Sequence, residues 1–309
     1  MVRYGLTRLL GGLLVLWVVL TLTFLATVAS PVDPVEVYAG RGATEAVRDQ
    51  IREEFGLDDS IGTQYVRYVE ALARGDLGVS IASGQSVGEA LVDRLPATAQ
   101  LALAGVLLEL LIGVPIGIVA GLRPGSRIDR IVLLLSLSGA VLPVFVVGFL
   151  LLYLLAYQAG LFPIGGYGSV DQLLLPALTL GLAGAPWLAR MVRSTVIETR
   201  GREFVRAARA RGASERRILF RHIIPNSINP IVTMLGIDAG VFFAGVLVIE
   251  KVFGWPGVGQ QAWQAVSQND TPMVMGTVLV AAIAIVLFNL VADLVNAVID
   301  PRMRRRSRA

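Results

Sequence analysis

The sequence predicts an all-α polytopic membrane protein: six transmembrane helices, both termini cytoplasmic, and a small α-rich extracellular insert. Three observations predict it. Hydrophobic residues make up 55% of the 309 positions and the mean hydropathy is +0.69, more apolar than soluble domains usually are. Several apolar runs reach the roughly 20 residues that a helix needs to cross about 30 Å of hydrocarbon. The arginines concentrate in alternate connections, as expected when basic residues stay on the cytoplasmic side.

The first apolar run, Leu9 to Val28, follows Arg3 and Arg8. A cleavable leader has a core of only about 7–15 residues before a small-residue site. Val28-Ala29-Ser30 resembles such a site, but the run's length fits a retained helix over residues 1–30 better. Residues 31–95 differ in kind, with twelve acidic residues and six arginines. They predict two short helices, one after Thr44 as N-cap and one over Gln64–Arg74, and a turn at Gly75-Asp76-Leu77-Gly78. From residue 96 to 309 the pattern is a five-helix core. Its second span starts at Pro96, suited to a first helical position, and should kink at Pro115. The third runs from Ile131 to Ala159 with Pro143 in its middle. The fourth, Leu173–Val196, is interrupted by Pro176 and Pro186. The fifth is Ile228–Ile249. A second non-spanning stretch, Glu250–Pro272, leads to the sixth, Val274–Ile299.

With the N-terminus inside, twenty of the twenty-six arginines fall on the cytoplasmic side. Six arginines and Lys251, the only lysine, fall outside. The opposite topology reverses this asymmetry. The chain has no cysteine and one histidine, His222, which removes disulfides, thiolate metal sites and most acid–base chemistry. No G-x-x-x-x-G-K-[ST] phosphate loop is present. Among acidic residues within spans, Glu109 and Asp238 are central, while Glu250 and Asp293 lie towards span ends. Such groups are the requirement of an ion-coupled carrier, but nothing arranges these four as a relay.

The chain is organised around a basic cytoplasmic loop, residues 198–227. Glu203–Arg211 holds good helix formers. Gly212 suits the left-handed position after a helix. Ser214 can cap a second helix with Glu215 in its first turn. Lipid contact would explain the arginines, but not two alanines and a glycine at this spacing. A DNA-reading helix pair is excluded by the spans on both sides.

Arg206-Ala207-Ala208-x3-Gly212, with Pro225 further on, resembles the E-A-A-x3-G-x9-I-x-L-P loop of ABC-importer permeases. Arg206, His222 and Ile224 stand where that pattern has Glu, Ile and Leu. The string Glu203-Phe204-Val205-Arg206-Ala207-Ala208-Arg209-Ala210-Arg211-Gly212 is similar to the dipeptide/oligopeptide/nickel subfamily. So, in order, are Arg3 to Leu10, Gly56-Leu57-Asp58, Gly75 to Gly78, Arg94-Leu95-Pro96, Glu250–Phe253 with Pro256 to Gly259, and Asp300-Pro301-Arg302. The large outer insert resembles that of the first of two permease subunits.

The resemblance implies a type I ABC importer permease fold and a path formed with a second homologous permease. It implies two ATP-binding subunits, which hold ATP and Mg, and an extracellular solute-binding protein. No cofactor in this chain, no nucleic acid and no catalytic residue is implied. The cargo it implies is peptides, with nickel or another small solute as the alternative. Contact with the ATPases would fall to Glu203, Phe204, Arg206, Ala207, Ala208, Arg211, Gly212 and Glu215, with Ala207 and Ala208 in the ATPase groove. The path would be lined by Ser136, Ser138, Gly139, Pro143 and Asp238. Trp255, Pro256 and Trp263 would meet the binding protein on an outer surface.

Overall fold

A computed structural model describes residues 2–29, 34–39, 42–138 and 142–299, which are mostly helical, with no named strand among them. Helix α1 (Val2–Val28) is followed in the insert by α2 (Pro34–Ala39), α3 (Glu45–Phe55) and α4 (Ile61–Ala73). The long α5 (Val87–Leu122) leads to α6 (Arg127–Ser138) and α7 (Val144–Leu151), which continues as a π-helical segment, Leu152–Gln158. Then come α8 (Val170–Gly201), α9 (Glu203–Ala210) and α10 (Glu215–Ile218). A π-helical turn, Leu219–Ile223, enters α11 (Ile224–Phe253), and α12 (Val258–Ser267) and α13 (Thr271–Ile299) complete the chain. Segments Leu6–Val28, Val87–Leu122, Val170–Gly201 and Thr271–Val295 are long and apolar enough to cross a membrane. With α6–α7 and the 30-residue α11, six crossings result.

The core is the seam between α5 and α8. A Cβ on Gly117 would lie 2.5 Å from the Ala189 carbonyl oxygen, and one on Gly121 2.8 Å from the Val196 side chain. A Cβ on Gly113 would lie 3.0 Å from the Ala185 carbonyl oxygen and 3.1 Å from the Leu188 side chain, while Gly181 on α8 faces Leu108 on α5. Lipid is as apolar as the side chains, so helices in a membrane associate through close packing of this kind. Fully buried Glu109 lies in the seam against Gly184.

Joints at the helix ends fall into two groups. On one side Asp129 accepts from Arg193 and, at 2.7 Å, from the Gly125 amide; Arg200 donates to the Leu122 carbonyl at 2.6 Å, and Arg8 pairs with Asp293. On the other, Asp270 accepts from Ser80 and from the amides of Ile81, Ala82 and Met273. It thereby ties the insert to the start of α13. The insert also leans on α1, where Phe24 meets Tyr65 and Tyr68 and the Thr21 and Tyr65 hydroxyls bond. The Glu250 carboxylate caps α12, accepting from the Gly259 and Gln260 amides at 2.7 and 3.0 Å and from the Thr98 hydroxyl at 2.6 Å. Thr98 in turn accepts from the Val258 amide. Gly257 and Gly259 have no room for a Cβ beside Glu250 and Leu247.

Several expected boundaries are corrected. Helix α5 begins at Val87 rather than Pro96, because Val87 and Leu91 are buried against Val258, Ala265 and Met273. Pro96 and Pro115 are therefore interior, and the carbonyl that Pro96 frees belongs to exposed Val92. Prolines 176 and 186 do not interrupt α8, which starts from a Ser169–Gln172 capping box and is held on several sides by α5, α6, α7 and α11. The third span is two helices, with Pro143 as the N-cap of the second and Arg127 already inside the first.

Two expected outcomes follow from these contacts. Gly117→Val should lower the melting temperature of the detergent-purified protein by the equivalent of about 3 kcal/mol, the upper range for overpacking. Gly11→Val, where a Cβ meets nothing within 4 Å, should leave it unchanged. Glu250→Ala orphans two buried donors, the Thr98 hydroxyl and the Gly259 amide, at about 1–3 kcal/mol each, and the part-buried Gln260 amide. It should destabilise more than Glu250→Gln, which keeps one acceptor oxygen; equal melting of the two variants would remove the cap from the account.

Candidate functional site

The basic loop folds as a short amphipathic helix joined to α8 by one residue, Arg202. Val205 and Ala208 point inward, packed with Ile218 and Ile223 against Leu188, Val192 and Val196 of α8. Hydrophobic spacing places them on one side, and the residues between them are left outward. The helix stops because Gly212 adopts φ +78°. Its amide then donates to Arg209 O at 3.0 Å, and the Ala213 amide to Ala208 O at 3.1 Å. These two bonds form a Schellman ending, which needs a left-handed residue between them. Ser214 accepts from the Arg217 amide and starts α10. Arg209 donates both Nε and Nη2 to Glu215 across the turn, at 2.7 and 3.1 Å. Those hydrogen bonds hold the Glu215 carboxyl below the usual carboxylate range.

Glu203, Phe204, Arg206, Ala207, Arg211, Gly212 and Glu215 are all exposed. Phe204 packs 6.4 Å from His222, and Phe220 is 60% exposed nearby. The loop therefore offers a firmly held outward surface of small, aromatic and cationic groups with no acid–base pair aimed at a substrate. Ala208 is the exception among the expected contacts. At 2% exposure it belongs to the chain's own core, so only Ala207 of the pair is available to a groove on another protein.

The other expected sites divide. Ser136 is buried and donates to Leu133 O of its own helix, so it lines no open surface of the chain, whereas Pro143 is exposed. Gly139 and the side chains of Ser138 and Asp238 lie outside the described residues, as do Ser30 and Asp300-Pro301-Arg302. Trp255 is not on the outer surface. It is 1% exposed, donates Nε1 to Ala97 O at 2.8 Å and meets Tyr167 edge to face. A buried indole with its N–H satisfied is a packing residue. Pro256 is half-buried, and Trp263, 57% exposed, remains outward. The residues that join the elements, Asp129 with Arg193, Glu250 with Thr98, and Asp270 with Ser80, were not among the expected sites. Their sequence signals were an acidic residue at a helix start, for Asp129 and Asp270, and one towards a span end, for Glu250.

The family described as "Binding-protein-dependent transport system inner membrane component" matches residues 113–305, and its N-terminal counterpart matches residues 1–102. The oligopeptide transport system permease protein AppB of Bacillus subtilis (strain 168) is 33% identical over 98% of this chain and 99% of its own. The glutathione transport system permease protein GsiC of Salmonella paratyphi A is 35% identical with the same coverage. A chain from inward-facing conformations of the MetNI methionine ABC transporter superposes with a TM-score of 0.56 at 21% identity, covering 68% of this chain and 95% of that one. The last likeness concerns the fold. The two family matches and the full-length relatives place this multi-pass membrane chain in the binding-protein-dependent transport system inner membrane component family, the permeases of ABC importers.

Proposed function

We propose that this chain is the permease subunit that, with a second homologous permease, forms the path of an ATP-driven importer for peptides. An extracellular solute-binding protein delivers the cargo, and two ATP-binding subunits, holding ATP and Mg, dock on the cytoplasmic side. The peptide cargo is supported by the full-length relatives, one an oligopeptide and one a glutathione permease. The observation that carries the coupling reading is α9. Its outward face is open, its inward face is fixed to α8, and no phosphate-binding loop exists in the chain to do the energetic work locally.

The mechanism follows from the joints. A partner that grips Glu203, Phe204, Arg206, Ala207 and Arg211 moves α9 as a body. Val205 and Ala208 pass that movement to Leu188, Val192 and Val196. The α5–α8 seam is too tight to slide smoothly, so α5 and α8 travel together. Arg193 with Asp129 carries α6 along, and the Gly212 turn, α10 and the π-turn carry α11. Packed units of this kind switch between discrete arrangements rather than deform continuously.

Two outcomes test this reading. A Cβ at Gly212 meets no neighbour within 4 Å, but its φ of +78° strains any β-branched residue, at a cost of about 1–2 kcal/mol. Gly212→Val should therefore insert and fold, yet abolish uptake of a labelled tripeptide by the complete importer in proteoliposomes. Uptake at the wild-type rate would remove the turn from the coupling. The purified chain alone should hydrolyse no ATP, with hydrolysis appearing once ATP-binding subunits are added. Hydrolysis by the chain alone would contradict the division of labour.

A further inference from the structure

Near the outer end of α5 one enclosed donor is left without a bond. Arg94 lies one turn nearer the outer side than Thr98 and on the same face of the helix. Its side chain is half-buried, and its Nη1 group is enclosed with no hydrogen-bond partner among the described residues. Buried donors are rarely left so, and a charged one least of all.

The carboxylate within its electrostatic reach is that of Glu250, fully buried near the outer end of α11. Both oxygens of Glu250 are already taken. Oε1 accepts from the Thr98 hydroxyl, and Oε2 accepts from the Gly259 and Gln260 amides at the start of α12. Glu250 thus has two competing sets of donors. One is Thr98 with the start of α12, which holds it in this arrangement. The other is Arg94, one turn further out along α5, or about 6 Å at 1.5 Å per residue. Between the two stands Pro96, which leaves the Val92 carbonyl without its helical donor. That turn of α5 can bend without breaking a backbone hydrogen bond.

We propose that during transport the outer end of α11 moves one turn along α5, Glu250 exchanging Thr98 for Arg94 and releasing the start of α12 as it goes. This rests on the importer reading above, in which ATP-binding subunits drive the elements between two arrangements. Packed helices shift past one another in single-turn steps, because interdigitated side chains clash at intermediate positions. A guanidinium suits the second setting, since its planar fork offers a carboxylate two parallel hydrogen bonds. The exchange keeps Glu250 satisfied in both settings, while α12 is capped in only one. Helix α11 begins at the cytoplasmic loop, through the π-helical turn, and α12 carries the exposed Trp263. The step is therefore a route by which a pull on that loop reaches the outer surface.

Because the chain has no cysteine, Val258→Cys gives a single reporter in this subunit. Val258 is 3% exposed, and its amide donates to Thr98. The complete importer, assembled with cysteine-free partner subunits in nanodiscs, is labelled with a membrane-impermeant maleimide. Labelling is followed without nucleotide, and again after trapping with ATP and orthovanadate in the presence of the binding protein. Trapping should accelerate it about tenfold, the factor by which one charge-assisted hydrogen bond shifts an opening equilibrium. Arg94→Gln should leave nucleotide-free labelling slow and lose most of the acceleration, and Arg94→Lys should keep part of it. Thr98→Val, which weakens the first setting, should speed nucleotide-free labelling. Full acceleration in Arg94→Gln would overturn the exchange. Faster nucleotide-free labelling in Arg94→Gln would overturn it too, since Arg94 would then support the existing cap. If the reporter complex hydrolyses ATP and is trapped by vanadate yet shows no acceleration, the step falls and the importer reading stands. A complex that hydrolyses no ATP would instead strike down the importer reading, and the step with it.

Discussion

Where α5 crosses α8, backbone meets backbone. Gly113, Gly117 and Gly121 present no side chain to Ala185, Ala189 and Val196, and Gly181 returns the favour to Leu108. In water such a seam would be one contribution among many; in a bilayer, where burying apolar groups in protein gains little over burying them in lipid, close packing is the force that joins helices. The other elements hang from it. Helix α8 carries α9, α5 carries Thr98 to Glu250, and the α5–α6 connection is clamped to α8 by Asp129 with Arg193 and by Arg200. The Asp129 carboxylate, buried and also accepting from the Gly125 amide, ties the α5–α6 connection to Arg193 of α8.

This explains how a helix of eight residues can be a handle. Alone it would be far too short to be stable in water. Packed through Val205 and Ala208 and closed by Gly212, it becomes an extension of α8. On the outer side a comparable economy appears. The Glu250 carboxylate joins α11, α5 and α12, and Asp270 joins the insert to α13. Both faces of the membrane are thus fastened to one core, so that a displacement on one face has a mechanical route to the other.

Features set by neighbours in sequence were legible before the structure. The helix over Glu203–Ala210, the left-handed Gly212, the Ser214 cap and the Gly75–Gly78 turn all follow from local chemistry. Topology was legible because arginine placement is a one-dimensional signal. What escaped reading depends on distant partners. Thr98 and Glu250 are 152 residues apart, and Ser80 and Asp270 are 190 apart. Trp255 beside Pro256-Gly257 reads as an outer contact for the binding protein until Ala97 and Tyr167 close over it. Pro96 reads as a helix start and Pro176 and Pro186 as interruptions, and packing carries both helices through them. Ala207 and Ala208 are indistinguishable as letters, and only the position of α8 decides which of them faces out.

That last distinction gives the most direct test of the central claim, that α9 docks an ATP-binding subunit through its outward face while its inward face belongs to this chain. In the complete importer, Ala207→Cys and Ala208→Cys would each be treated with a short thiol-to-amine crosslinker and probed for attachment to the ATP-binding subunit. The account predicts efficient crosslinking from position 207, exposed, and little from position 208, 2% exposed. Equal crosslinking from both positions, or none from 207 in an importer that transports, would contradict it.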